Sequence, residues 1–156
     1  MAARGDAGRR AAGVSALEVA VTMAIVGLVL VLLVPRLNSR PHHLTADVDE
    51  FRANAETARM LARSRTGRYR VRVAGATQYV IERGVLVGSA WTFPTVERTV
   101  ELRAGVMFSA GSVGQTATFD SRGRLTTDDT TFTLQDAARG WSRRVVVRAT
   151  GMVEVQ

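Results

Sequence analysis

Between Val14 and Val34 the chain carries a single charged residue, Glu18, in a stretch otherwise built from Val, Leu, Ile, Ala and Met with few interruptions. Wound as a helix at about 1.5 Å per residue, such a run is roughly 32 Å long, which matches the hydrocarbon core of a bilayer. That length excludes a simple soluble enzyme and predicts a transmembrane helix. It leaves about 120 residues for a water-facing part, enough for one modest core. Glu18 is the anomaly. A carboxylate in hydrocarbon costs several kcal/mol unless it is paired, so it marks a functional position.

The flanks narrow the reading. Arg4, Arg9 and Arg10 precede the apolar run, and Arg36 and Arg40 follow it, which leans towards a cytoplasmic N-terminus. A cleaved secretory signal needs a small-residue site just after its apolar core. Here the core is followed by Pro35-Arg36-Leu37-Asn38-Ser39-Arg40, with no Ala-x-Ala. A plain anchor fits the run but leaves Glu18 without a purpose.

The stretch Gly13-Val14-Ser15-Ala16-Leu17-Glu18 resembles the processing site of type IV prepilins and type II secretion pseudopilins, with Gly27 and Pro35 in register further along. The resemblance implies a leader peptide over residues 1–13 and cleavage by a prepilin peptidase between Gly13 and Val14. It also implies N-methylation of Val14, although Val stands where the family usually carries Phe. Glu18 and Pro35 would then serve filament assembly. Glu18 would pair with the new N-terminal ammonium of a neighbouring subunit, and Pro35 would kink the helix by removing a backbone hydrogen bond.

Residues 14–44 are read as the kinked transmembrane helix and its linker, and residues 45–156 as the head. Asn38-Ser39-Arg40-Pro41-His42-His43 predicts a break, because Pro41 disfavours helix in the residue before it. Asp47 and Glu50 are read as an N-cap pair restarting the helix. Val48, Phe51, Ala55, Ala58 and Ala62 then recur at helical spacing and form one apolar face, ending near Thr66-Gly67. Period two follows: Tyr69, Val71 and Val73 alternate with Arg68, Arg70 and Arg72. Strands are expected at 78–83, 85–87, 90–93, 98–103, 106–108, 116–120, 131–134, 143–148 and 152–155, with Gly residues between them. No strand–helix–strand alternation occurs. The fold class is α+β: a long hydrophobic helix, then an amphipathic helix packed on antiparallel sheet.

Within the pilin-like family the head resembles the GspH/FimT pseudopilin type. The features are the helix segment Ala53–Arg59 leading into sheet, the turn Phe119-Asp120-Ser121-Arg122-Gly123, and the closing Val145–Val147, Gly151, Val153 pattern. The resemblance implies a minor pseudopilin of the periplasmic pseudopilus of a type II secretion system. Such a subunit sits single-pass in the inner membrane, with a cytoplasmic N-terminus and a periplasmic head. Its partners would be other pseudopilins or pilins, the prepilin peptidase and membrane lipid. The alternative is a FimT/FimU-like minor pilin of a type IV pilus.

The net charge is +7, from 21 basic residues, all Arg, against 14 acidic ones, and there is no cysteine. Arginine clusters can grip phosphates bidentately. DNA-binding minor pilins of this kind carry Gly-Arg-x-Arg near the C-terminus. Gly67-Arg68-Tyr69-Arg70 has those letters elsewhere, and Gly140-Trp141-Ser142-Arg143-Arg144 has the place without the letters. Arg68, Arg70, Arg143, Arg144 and Arg148 are therefore the nucleic-acid candidates. His42 and His43 point about 100° apart on a helix and form no metal clamp. Asp128-Asp129 reads as a solvated turn. No catalytic constellation, cofactor motif or metal site is expected, and no enzymatic activity.

Overall fold

The computed structural model describes residues 16–37 and 40–156. The chain forms two units, one up to Ser39 and one from Arg40 onward. The first contains helix α1 (Ala16–Leu37). Its apolar residues Met23, Ile25 and Leu28 are exposed. A helix that is apolar all round and uncovered needs lipid or other helices around it. Among the described residues, no helix is long and apolar enough to cross a membrane. The sequence run 14–34 starts outside those residues.

The second unit opens with helix α2 (Arg40–Ser64). It starts seven residues before the expected restart at Asp47. Pro41 falls in its first turn, where the backbone N–H has no intrahelical partner to lose. Asn38 and Ser39, the first residues of the expected break, lie outside the described residues. Asp47 is therefore not a cap but a buried side chain inside the helix. Leu44, Val48, Phe51, Ala55, Ala58 and Ala62 form the buried face, as the spacing requires. The helix ends through Gly67, whose N–H bonds the Ala62 carbonyl at 3.1 Å. Thr66 takes the left-handed position (φ 47°) just before it.

Two antiparallel sheets receive α2. Sheet A has the order β3-β2-β1-β5, from β1 (Tyr69–Gly75), β2 (Gln78–Val87), β3 (Ala90–Glu101) and β5 (Thr116–Phe119). Sheet B has the order β4-β6-β7-β8, from β4 (Val106–Phe108), β6 (Thr130–Asp136), β7 (Ser142–Val147) and β8 (Val153–Val155). The expected strand pieces 78–83 and 85–87 form one strand, β2, and 90–93 joins the start of 98–103 in one strand, β3, which ends at Glu101, two residues short of the expected end. Gly84 is not a turn. It lies within β2, with its N–H bonded to the Arg68 carbonyl at 2.7 Å. A Cβ there would meet the Phe93 and Trp91 rings at 3.0 and 3.1 Å, so the missing side chain lets those rings cover the strand.

Phe51 ties the layers together. Its ring lies edge-on to Tyr79 of β2 at 4.9 Å, to Phe108 of β4 at 5.5 Å and to Phe132 of β6 at 5.0 Å. Further along α2, Ala55, Ala58 and Ala62 are fully buried, and small side chains there bring the helix close to the sheets. Past them, the turns at Gly123 and Gly151 pack against each other. Both have left-handed backbone, and a Cβ on Gly151 would overlap the Gly123 carbonyl oxygen. That oxygen accepts a 3.0 Å hydrogen bond from Arg59 Nε of α2.

Phe51→Ala should remove a ring that packs against aromatics of both sheets and leave a cavity at their junction. The expected loss is about 4 kcal/mol, measured by chemical denaturation of the folded chain. A loss below about 1 kcal/mol would show that the sheets associate without it.

Candidate functional site

The alternation in β1 turns Tyr69, Val71 and Val73 inward and sets Arg70 and Arg72 on the other face. The neighbouring strand places Glu82 directly opposite Arg70. Both guanidiniums converge on that carboxylate. Arg72 Nη2 donates to Oε1 at 2.7 Å, and Arg70 Nε donates to Oε2. The Glu82 side chain is only 4% exposed. Burial alone would raise its pKa, but the hydrogen bonds from Arg72 and Arg70 outweigh burial and hold it below its ordinary value near 4.5. The same arginine row is roofed by aromatics. Arg70 stacks 4.1 Å from the Phe93 ring centre and Arg68 4.9 Å from that of Trp91. Arg68 and Trp91 also wall a cleft of about 250 Å³ with Thr66, Gly67, Asp120 and Ser121. Asp120 is engaged there, its Oδ1 accepting the N–H groups of Arg122 and Arg124 at 2.9 Å.

A second polar group fixes α2 to sheet A. Asp47 accepts the Arg103 backbone N–H at 3.0 Å and the Arg103 guanidinium, which also reaches Glu50 at 3.3 Å. One and two turns on, Asn54 Nδ2 donates to the Tyr79 hydroxyl at 2.6 Å, and Asn54 Oδ1 accepts from Arg98 at 3.0 Å. Burial pushes the Tyr79 hydroxyl up to about 12.

The C-terminal arginines divide. Arg148 is bound by Glu154 and Asp129, each at 2.9 Å. Asp129 also accepts the Ala149 N–H at 2.7 Å. The Arg148 hydrogen bond, then that N–H, holds the Asp129 carboxyl below its ordinary value. Arg143 and Arg144 are exposed at the start of β7. The five nucleic-acid candidates thus do not form one face. Arg68 and Arg70 belong with sheet A, and Arg143, Arg144 and Arg148 with sheet B.

Gly13 and Val14 lie outside the described residues. Glu18 and Pro35 fall within α1, with side chains outside the description, as is that of His42. Among the described residues, no three His, Asp or Glu side chains converge as a metal site. The sequence reading missed Glu82 as the hub of the arginine row and Asp47 as the partner of Arg103. A signal for Glu82 existed: it is a lone acid closing the apolar run Tyr79-Val80-Ile81 in a strand.

No model of a known family and no curated protein matches the chain. Solved structures do. A crystal structure of the type IV minor pilin FimU of Pseudomonas aeruginosa aligns with a TM-score of 0.59 at 18% identity, covering 76% of this chain and 91% of that one. A second crystal form of FimU gives 0.56, also at 18% identity, over 72% and 92%. The minor pseudopilin EpsH from the type 2 secretion system of Vibrio cholerae gives 0.55 at 13%, over 73% and 96%. The α+β fold of this chain is pilin-like.

Glu82→Gln should cost about 2 kcal/mol near neutral pH, a buried-pair value reduced because both arginines are partly solvated. Since the folded-state value of Glu82 is depressed, its contribution is complete above its ordinary value and is lost as pH falls from there through the lower folded-state value. The variant should therefore lose less stability than wild type on acidification, measured by denaturant midpoints across that range. Parallel pH curves would contradict the pairing.

Proposed function

We propose that the chain is a structural subunit of a pilin-like filament, in the first place a minor pseudopilin of a type II secretion pseudopilus. On this reading a prepilin peptidase cuts between Gly13 and Val14, and the new N-terminus is methylated. The 14–34 helix holds the subunit in the inner membrane with its head in the periplasm until other pseudopilins recruit it. The observation that carries the reading is the Gly13–Val14–Glu18 pattern, set at the start of an apolar run and followed by a pilin-like head. The uncovered apolar surface of α1 supports it, because such a surface suits both lipid and a helical filament core. A minor pilin of a type IV pilus is the second reading, since FimU shares the fold as EpsH does.

Lipid and filament core are both apolar, so moving α1 between them changes hydrophobic energy little. Discrimination then falls to polar and shape features. The ammonium of Val14 on one subunit and Glu18 on its neighbour would set axial register, since a misaligned helix would leave a buried charge unpaired. Pro35 would supply the bend that lets helices wrap.

Glu18→Ala should abolish incorporation into filaments assembled in cells while leaving the head's melting temperature unchanged, because Glu18 lies outside the head's core. Incorporation at the wild-type level would contradict the pairing argument.

A further inference from the structure

One end of the head gathers arginines that no acid engages. Its position follows from contacts within the head. Phe51 packs on Phe132 and Phe108, and one turn nearer the start of α2, Asp47 holds Arg103. Val106 pairs with Asp136, and the Ala137 N–H bonds the Gly105 carbonyl at 3.0 Å. The 136–141 turn between β6 and β7 therefore lies at the end of the head where α2 begins.

The turn is rigidly built. Asp136, 3% exposed, accepts the N–H groups of Ala138 and Arg139 at 2.9 and 3.2 Å, and its own N–H bonds the Trp141 carbonyl at 2.8 Å. It presents Trp141, 53% exposed, with the Arg139 guanidinium 5.2 Å from the ring centre. Arg143 and Arg144 follow, both exposed. Their partners are Leu134 and Thr133, so they stand on opposite faces of sheet B at the starting end of its inner strand β7. Among the described residues, none of Arg139, Arg143 and Arg144 makes an ion pair. The acids nearby are engaged: Asp47 and Glu50 with Arg103, and Asp136 with its own turn.

We propose that this rim docks on anionic phospholipid headgroups, with Trp141 at the interface and Arg139, Arg143 and Arg144 on phosphates. A tryptophan among unpaired arginines has the composition of a membrane-interface anchor. Guanidinium suits phosphate through bidentate hydrogen bonds. The choice of lipid rests on the anchor reading above. In sequence only residues 38 and 39 separate α1 from α2, so the start of α2 is the part of the head tied to the anchor. Duplex DNA also offers phosphates, but it rewards a track of contacts along its backbone, and these cations are confined to one turn and one strand start. The docked head would be parked on the membrane before assembly and released as the filament draws it away.

The test uses the full chain in nanodiscs with Trp91→Phe, which leaves Trp141 as the single tryptophan. Trp141 emission should be quenched by headgroup spin-labelled lipid in phosphatidylglycerol discs and far less in phosphatidylcholine discs. Molar salt should release it, because the screening length falls to about 3 Å. Replacing Arg139, Arg143 and Arg144 by Ser should abolish the quenching with an unchanged circular dichroism spectrum. The reciprocal Trp141→Phe chain should show no lipid-dependent quenching. Equal quenching in both lipids, or full quenching of the triple variant, overturns the proposal. So does release of Trp141 by a short DNA duplex at low salt, which would assign the rim to nucleic acid. A chain that fails to enter discs counts against the anchor instead. Phosphatidylglycerol vesicles added to that chain then test the rim alone, where quenching supports docking and its absence overturns it.

Discussion

The head depends on the contact of one aromatic ring with two sheets. Phe51 projects from α2 into the seam where Tyr79 of sheet A meets Phe108 and Phe132 of sheet B. Neither sheet has an apolar face large enough to stand alone, since four short strands need a covering layer. Beyond Phe51 the helix narrows to Ala55, Ala58 and Ala62, and the sheets close against it. At its far end, Arg59 holds the Gly123 carbonyl, and Gly151 admits the close approach of the two turns. The ring sets the separation of the layers, and the small residues and glycines let the rest follow.

Local pattern made much of this legible. The stripe Val48, Phe51, Ala55, Ala58 and Ala62 is the buried face, and Tyr69, Val71 and Val73 point inward as alternation requires. What failed did so where a distant residue decides the outcome. Asp47 has the type of an N-cap, yet its partner is Arg103, fifty-six positions on, and no local signal reveals that pairing. Gly84 has the type of a turn residue, but Phe93 and Trp91 across the hairpin use its missing side chain. The division into two sheets depends on which edges pair, and alternation within a strand is silent on that. The arginine row was legible as a row. That Glu82 and two aromatics would claim part of it was not, because those partners come from other strands.

The two units follow different physics. The head buries one apolar core and holds several of its buried polar groups in named partnerships: Glu82 with Arg70 and Arg72, Asp47 with Arg103, Asn54 with Tyr79 and Arg98. Helix α1 leaves Met23, Ile25 and Leu28 uncovered. On the proposed filament reading, a head with its own core and a helix with uncovered apolar side chains suit assembly. Selectivity would then belong to the Gly13–Val14 junction, Glu18 and Pro35.

The junction is also where the account is most directly tested. Intact-mass and N-terminal fragment analysis of the chain, produced together with a prepilin peptidase, should give a mature protein that starts at Val14. A start at Met1 or Ala2 under the same conditions would contradict the account and leave a pilin-like head on an unprocessed membrane anchor.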